Sequence, residues 1–214
     1  MKNDSYQDKM YREFVAERNA LFLLYIFVFE HWIGDALSIM EEGYQLENII
    51  LIGMPGCGKS TVGVLLAKAL GLDFVDTDVV LQAKEKRRLQ EIIDDIGIDG
   101  FLKKEEEAIL SLRCSRTVIA TGGSVVYGKR AMDYLSSTGR VVYIKLPYEE
   151  IERRLSNLAT RGVTLRKGQT LLSLYHERIP LYESAAQITF DASFSDIDAT
   201  VRGIESVLTH NSEV

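Results

Sequence analysis

Residues 53–60 read Gly-Met-Pro-Gly-Cys-Gly-Lys-Ser, which are the residue types that bind nucleotide phosphates. They match the pattern G-x-x-x-x-G-K-[ST] at every fixed position. Backbone N–H groups of Gly56, Gly58 and Lys59 would cradle phosphate oxygens at a helix N-terminus, where the helix dipole favours anions. Lys59 would add positive charge beside the β and γ phosphates, and the Ser60 hydroxyl would be a ligand of Mg²⁺. The segment therefore predicts a site for ATP and Mg²⁺.

Cys57 lies inside this loop, and we interpret it as a small loop residue. A redox role would need a thiol of lowered pKa, which a helix N-terminus can provide. The predicted nucleotide-binding residues of this loop are Gly53, Gly56, Cys57, Gly58, Lys59, Ser60 and Thr61.

Two carboxylates form the second candidate site. Asp76 and Asp78 flank Thr77 directly after an apolar segment. Side chains two residues apart on an extended segment point the same way. Asp76 could then hold Mg²⁺ while Asp78 reaches the hydroxyl group of a phosphoryl acceptor. The alternative is that one of the two carboxylates only caps the following helix.

Short apolar segments alternate with helical patterns along the chain from residue 46 onward. The alternation predicts an α/β fold, with a five-stranded parallel sheet covered by helices on both faces. The predicted strands are 49–52, 73–76, 117–120, 141–146 and 187–190. The predicted helices are 59–70, 79–84, 89–96, 101–112, 129–136, 148–157, 171–184 and 197–208.

Residues 1–45 precede this P-loop domain, which spans 46–214, and we expect them to form a helical extension. Residues 21–29 are nine consecutive apolar residues, whereas a membrane-spanning helix needs about 20. No spanning segment is therefore expected. We expect this run to pack on the main domain or to mediate self-association.

The overall charge and the cysteine content limit the classes of partner and compartment. Lys and Arg number 25 against 31 Asp and Glu, giving a net charge of −6, so nucleic acid is not expected as a partner. Only two cysteines occur, which indicates no disulfide framework and favours the cytoplasm.

Taken together, the motifs between residues 48 and 208 resemble those of the shikimate kinase family. The P-loop, the D-T-D turn and the T-G-G-S segment at 121–124 are followed by Arg161 and by E-R-I-P-L-Y-E-S-A-A at 177–186. The resemblance implies a P-loop kinase that transfers phosphate from ATP to the 3-hydroxyl of shikimate, a small hydroxy acid.

The resemblance also implies a role for individual residues. Asp78 would orient the acceptor hydroxyl, Gly122 and Gly123 would let the backbone approach the substrate, and Arg178 would pair with the substrate carboxylate. On the nucleotide side, Arg154 would lie against adenine, and Arg161 would act in catalysis from a lid at 158–168. Arginine suits these roles because its charge is permanent and its donors are bidentate.

Two residues depart from the family pattern on the acceptor side. Leu102 stands where the family usually has an arginine that helps to clamp the carboxylate and pairs with Glu105. Ser124 stands where a third glycine is usual, and its hydroxyl could donate a hydrogen bond of its own. Glu105 would then pair with Lys104 or with another ligand group. These departures keep two alternatives open, a kinase for a gluconate-like acid and a non-catalytic nucleotide-binding protein.

Overall fold

A computed structural model of the 214-residue chain describes residues 47–156, 165–166, 168–193 and 195–210. The predicted helical extension at 1–45 lies outside these residues, as do Arg161 and most of the predicted lid. The division into an extension and a P-loop domain therefore stays a prediction. None of the described helices has both the length and the apolar character needed to cross a membrane.

A five-stranded, wholly parallel sheet forms the centre of the domain, in the order β2-β3-β1-β4-β5. Its strands are β1 (Asn48–Ile52), β2 (Asp73–Asp76), β3 (Thr117–Ala120), β4 (Gly139–Lys145) and β5 (Ile188–Asp191). Every residue of β1 and β3 is buried, whereas the edge strands β2 and β5 are partly exposed. Continuous apolar runs are typical of inner strands that are covered on both faces.

Seven helices connect or follow these strands within the described part of the chain. They are α1 (Lys59–Leu70), α2 (Thr77–Glu85), α3 (Leu89–Leu110), α4 (Lys129–Thr138), α5 (Tyr148–Ser156), α6 (Leu171–Ala185) and α7 (Ile197–His210). A single 3₁₀ turn, Val125–Tyr127, lies between β3 and α4. The predicted α/β fold with a five-stranded parallel sheet is therefore confirmed.

The two helices predicted at 89–96 and 101–112 are both present, and they join across a break at Gly97 within the span α3. The span is kinked at Gly97, whose φ of 71° and ψ of 174° are not helical. Glycine adopts a positive φ without the steric cost that other residues have. The kink separates the start of α3 from its second half, which carries Glu105 toward the centre of the domain.

The strand order brings the loops that follow β1, β2 and β3 together at one edge of the sheet. β3 lies between β1 and β2, and all three strands run in the same direction. Their carboxyl ends therefore meet at a single edge, where ligands bind in open α/β sheets. The P-loop, Asp76 and Gly122 all lie at this edge.

Candidate active site

The P-loop joins β1 to α1 through three glycines with positive φ. Gly53, Gly56 and Gly58 have φ values of 143°, 81° and 103°. Gly58 is the N-cap of α1 in a left-handed conformation, and no side chain caps this helix end. The N–H groups of the first turn of α1 are therefore available to an anion, as a phosphate site requires.

Lys59 is buried, and its ammonium group lies inside the loop. Its Nζ donates to the carbonyl oxygens of Gly53 at 2.8 Å and Met54 at 3.0 Å. Cys57 Sγ lies 3.7 Å from the same nitrogen and is itself buried. The loop therefore concentrates positive charge beside the N-terminus of α1, and Cys57 packs as a small residue within it.

Ser60 and Asp76, the two predicted Mg²⁺ ligands, both line the cleft above the sheet edge. Ser60 is exposed in the first turn of α1. Asp76 caps α2, because its Oδ1 accepts from the backbone N–H groups of Asp78 at 2.9 Å and Val79 at 3.4 Å. These bonds leave Oδ2 for another partner. Capping and metal binding by Asp76 are thus compatible.

No described cluster contains three or more His, Cys, Asp or Glu side chains placed to hold a metal ion. Mg²⁺ at nucleotide sites is usually held by one or two protein ligands together with phosphates and water. A hydroxyl and one carboxylate therefore form a donor set of the expected kind.

Arg154 on α5 lies against the outside of the P-loop. Its Nε donates to Glu150 Oε1 at 2.6 Å, and its Nη1 lies 3.4 Å from the carbonyl oxygens of Gly56 and Cys57. Hydrogen bonds from Arg153, which has the larger effect, and from Arg154 lower the pKa of Glu150 to about 2, so the carboxylate stays ionised. Glu150 therefore holds Arg154 against the P-loop.

Asp78, which lines the cleft, and the buried Glu105 converge on Gly122. A Cβ atom added at Gly122 would overlap Glu105 Oε1 and would lie 2.9 Å from Asp78 Oδ1. The Gly122 N–H donates to Thr77 Oγ1 at 3.1 Å, which fixes the backbone beside the two carboxyl groups. Residue 122 must therefore be small for the carboxyl groups and the backbone to meet here.

Ser124 is the partner of Glu105, which settles one question that the sequence left open. Ser124 Oγ donates to Glu105 Oε2 at 2.7 Å, and both residues are buried. The pKa of Glu105 is raised to about 7, mainly by burial and also by the charge of Asp78, while the Ser124 hydrogen bond and the charges of Arg178 and Lys59 oppose the rise. Glu105 Oε1 has no hydrogen-bond partner in the described structure.

Lys104 does not pair with Glu105, so the sequence alternative that joined them is wrong. Its Nζ contacts Glu85 Oε1 at 3.3 Å and Glu107 Oε2 at 3.4 Å. Successive helical residues point about 100° apart, so Lys104 and Glu105 face different neighbours. Leu102 packs against the small apolar cluster of Leu81, Ile92, Phe101 and Ala108.

Arg178 is buried on α6, and its guanidinium lies over the segment 121–124 after β3, which we call the glycine loop. A Cβ added at Gly123 would be 3.1 Å from Arg178 Nη1 and 2.7 Å from Pro55 Cδ. Gly123 therefore allows both the P-loop and Arg178 to approach. The Gly123 carbonyl also accepts a short hydrogen bond from the Tyr182 hydroxyl.

Most predicted site residues of the described chain surround one open cleft of about 1760 Å³. Its wall includes residues that the sequence did not single out, in the segment between β5 and α7. Within that segment Asp196 Oδ1 accepts from the backbone of Ala199 at 2.7 Å, which caps the start of α7. An aspartate before a helical pattern is the available sequence signal. The predicted residues on the cleft wall are Gly56, Cys57, Gly58, Lys59, Ser60, Thr61, Asp76, Asp78, Gly123 and Arg154.

Comparisons with known proteins point to one family. A sequence model described as shikimate kinase matches residues 55–209. The chain is 38% identical over 157 residues to a shikimate kinase of Clostridium botulinum (strain Okra / Type B1), covering 71% of this chain and 91% of the relative. It is 36% identical over 173 residues to the shikimate kinase of Francisella tularensis subsp. novicida (strain U112), covering 78% of this chain and 98% of the relative.

The fold comparison agrees with the sequence comparison. A solved structure of shikimate kinase from Acinetobacter baumannii, in complex with shikimate, superposes with a TM-score of 0.75. The match covers 81% of this chain and 99% of the other, at 28% identity.

Proposed function

Because the chain belongs to the shikimate kinase family, we propose that it transfers the γ-phosphoryl group of ATP to a ring hydroxyl of shikimate. The observation that carries the proposal is the meeting of donor and acceptor groups at one sheet edge. The P-loop follows β1, Asp78 follows β2, and Gly122 and Gly123 follow β3. Phosphoryl transfer depends mainly on such positioning and on charge stabilisation.

The nucleotide end of the site is formed by the P-loop and Arg154. Backbone N–H groups at the start of α1 bind the phosphates, and the buried Lys59 ammonium stabilises negative charge on the β and γ phosphates. Arg154 would cover the nucleotide, and the contacts of its guanidinium with the loop carbonyls support this role. Ser60 and Asp76 would hold Mg²⁺, which supplies charge neutralisation on the β and γ oxygens when bound.

The acceptor end is formed by Asp78, the glycine loop and Arg178. Asp78 accepts the proton of the attacking hydroxyl, whose oxygen forms a bond to the γ phosphorus as the bond to the ADP oxygen breaks. Arg178 pairs with the acceptor carboxylate beside Gly123. Arg161, outside the described residues, is proposed to add charge stabilisation when the segment 158–168 closes.

The test is ADP release with and without shikimate at fixed ATP and Mg²⁺. We expect release to rise with shikimate concentration and to saturate. An intact ATP-binding protein whose ADP release does not respond to shikimate would refute the proposed acceptor.

A kinase for another small hydroxy acid is the second candidate, and one observation favours it. Leu102 packs in an apolar cluster, and Lys104 contacts Glu85. Neither residue therefore replaces the positive charge of the arginine that the family usually has at position 102. The same assay with gluconate and related acids separates the two candidates. Greater kcat/KM for one of those acids than for shikimate would favour the second.

A further inference from the structure

Tyr127, at the end of the 3₁₀ turn after the glycine loop, contacts the acceptor-side arginine in two ways. Arg178 Nε donates to the Tyr127 hydroxyl at 3.3 Å. The guanidinium carbon of Arg178 also lies 5.1 Å from the centre of the Tyr127 ring. A cation over an aromatic face is attracted by the ring as well as by the hydroxyl.

The Tyr127 hydroxyl is held in turn by α6. It donates to Glu177 Oε1 at 2.7 Å, and the second oxygen of Glu177 accepts from Gln169 Nε2 at 2.6 Å. Burial raises the pKa of Tyr127, so the hydroxyl keeps the proton that it donates to Glu177. The same oxygen therefore remains an acceptor for Arg178 Nε.

A second tyrosine fixes the other end of the same loop to the same helix. Tyr182 donates to the carbonyl of Gly123, and its ring stacks on Tyr143 of β4 with centroids 5.2 Å apart. The loop from Gly123 to Tyr127 is therefore attached to α6 at both ends. Arg178 and the glycine loop are expected to move as one body.

We propose that Tyr127 is a positioning residue, which orients the Arg178 guanidinium toward the carboxylate of the acceptor through its hydroxyl and its ring. This inference rests on the proposed function. Planar guanidinium groups bind carboxylates in a bidentate arrangement, so the angle of the group matters as well as its charge. Leu102 occupies the place of a second arginine. The orientation of Arg178 therefore has a larger effect on acceptor binding than it would have if two arginines shared the carboxylate.

The experiment compares Tyr127→Phe, which removes the hydroxyl, with Tyr127→Leu, which also removes the aromatic ring. Tyr134→Phe is the matched control, because Tyr134 donates to the Leu112 carbonyl on a different part of the domain. We expect Tyr127→Phe to raise the KM for shikimate about fivefold. The leucine variant should raise it about tenfold or more. The KM for ATP and kcat should stay within about twofold for both variants, as should every constant of the control.

Two further measurements separate a positioning role from a structural one. In an Arg178→Lys background, which lacks the Nε donor, Tyr127→Phe should have no further effect on the KM for shikimate. With the carboxamide analogue of shikimate, Tyr127→Phe should leave acceptor binding unchanged, because the anion that Arg178 recognises is gone. Thermal unfolding of each variant checks that the fold is retained.

The inference is overturned if Tyr127→Phe leaves the KM for shikimate unchanged or raises the constants for shikimate and its carboxamide equally. A full effect in the Arg178→Lys background would overturn it too. These outcomes are distinct from failure of the proposed function, which appears in the wild-type protein as ADP release that does not respond to shikimate.

Discussion

At the scale of single residues, the acceptor end of the cleft depends on carboxyl groups in different environments. Asp78 is half-buried on the cleft wall, whereas Glu105 is buried behind Gly122 with Ser124 as its partner. A group on the wall can contact a substrate, and a buried one shapes the wall. We therefore propose that Asp78 alone accepts the proton.

Replacing Asp78 by Asn should lower kcat by about 10²-fold to 10⁴-fold, because the hydroxyl of the acceptor loses its proton acceptor. The KM for ATP should stay within about twofold, since the P-loop is untouched. The measurement is steady-state ADP release, with Asp73→Asn as the control on the exposed start of β2. A kcat for Asp78→Asn near that of the control would contradict the role of Asp78.

Some residue contacts are not readable from the sequence. Ser124 and Glu105 are 19 residues apart, and Tyr127 and Arg178 are 51 apart. The sequence identified Ser124 as unusual and Arg178 as functional. Their partners could not be predicted, because each pairing depends on how the chain folds between the two residues. Nothing in the local pattern around Tyr127 indicates that it would face Arg178.

At the scale of secondary structure, helix ends determine where the site residues point. The bounds predicted for α1 match the structure because Gly58 and Gly71, the residues at its two ends, both adopt left-handed conformations. The break at Gly97 falls between the predicted helices 89–96 and 101–112, but the sequence does not show that the chain continues as a bent helix there, because a glycine within a helical pattern can either end a helix or bend it.

Asp76 combines the cap of α2 with the proposed Mg²⁺ ligand, and two substitutions separate these roles. Asp76→Ala should lower the free energy of unfolding by about 1 kcal/mol, because α2 loses its cap, whereas Asp76→Asn keeps an acceptor oxygen and should stay close to wild type. Both variants should need more Mg²⁺ for half-maximal activity. Unfolding titrations and Mg²⁺ titrations measure the two effects.

The result for Asp76→Asn is decisive for the metal assignment. A wild-type Mg²⁺ requirement in this variant, together with a destabilised alanine variant, would show that Asp76 is a cap only.

At the scale of the whole molecule, the buried β1 and β3 strands and the order of the sheet explain why three loops form one site. Alternating strands and helices were enough to predict the parallel sheet. The order of the strands was not predicted, because it depends on where each connecting helix places the next strand in the sheet.

Location in the cytoplasm and self-association through residues 1–45 remain proposals. Deleting residues 1–44 and measuring the oligomeric state would test the proposed self-association.

Glu105 should make the stability of the folded domain depend on pH. Its pKa is raised from 4.5 to about 7, mainly by burial, so between these values the folded protein holds a proton that the unfolded chain releases. The stability that this proton contributes is lost as pH rises from about 4.5 through about 7, by about 3 kcal/mol in total. Glu105→Gln should remove this part of the pH dependence.

The measurement is the free energy of unfolding by denaturant at several pH values for wild type and for Glu105→Gln. Glu106→Gln, one residue along the same helix, is the matched control and should follow wild type. Parallel pH curves for wild type and Glu105→Gln would contradict the environment described for Glu105.

The central claim is that this cleft moves phosphate from ATP to shikimate, and direct identification of the product tests it. Incubation with ATP labelled at the γ-phosphate, Mg²⁺ and shikimate should give labelled phosphoshikimate in equal amount to ADP, as measured by mass spectrometry. Lys59→Met should yield neither product above background, because charge stabilisation at the γ-phosphate is lost. ADP accompanied only by labelled inorganic phosphate, with shikimate recovered unchanged, would contradict the account.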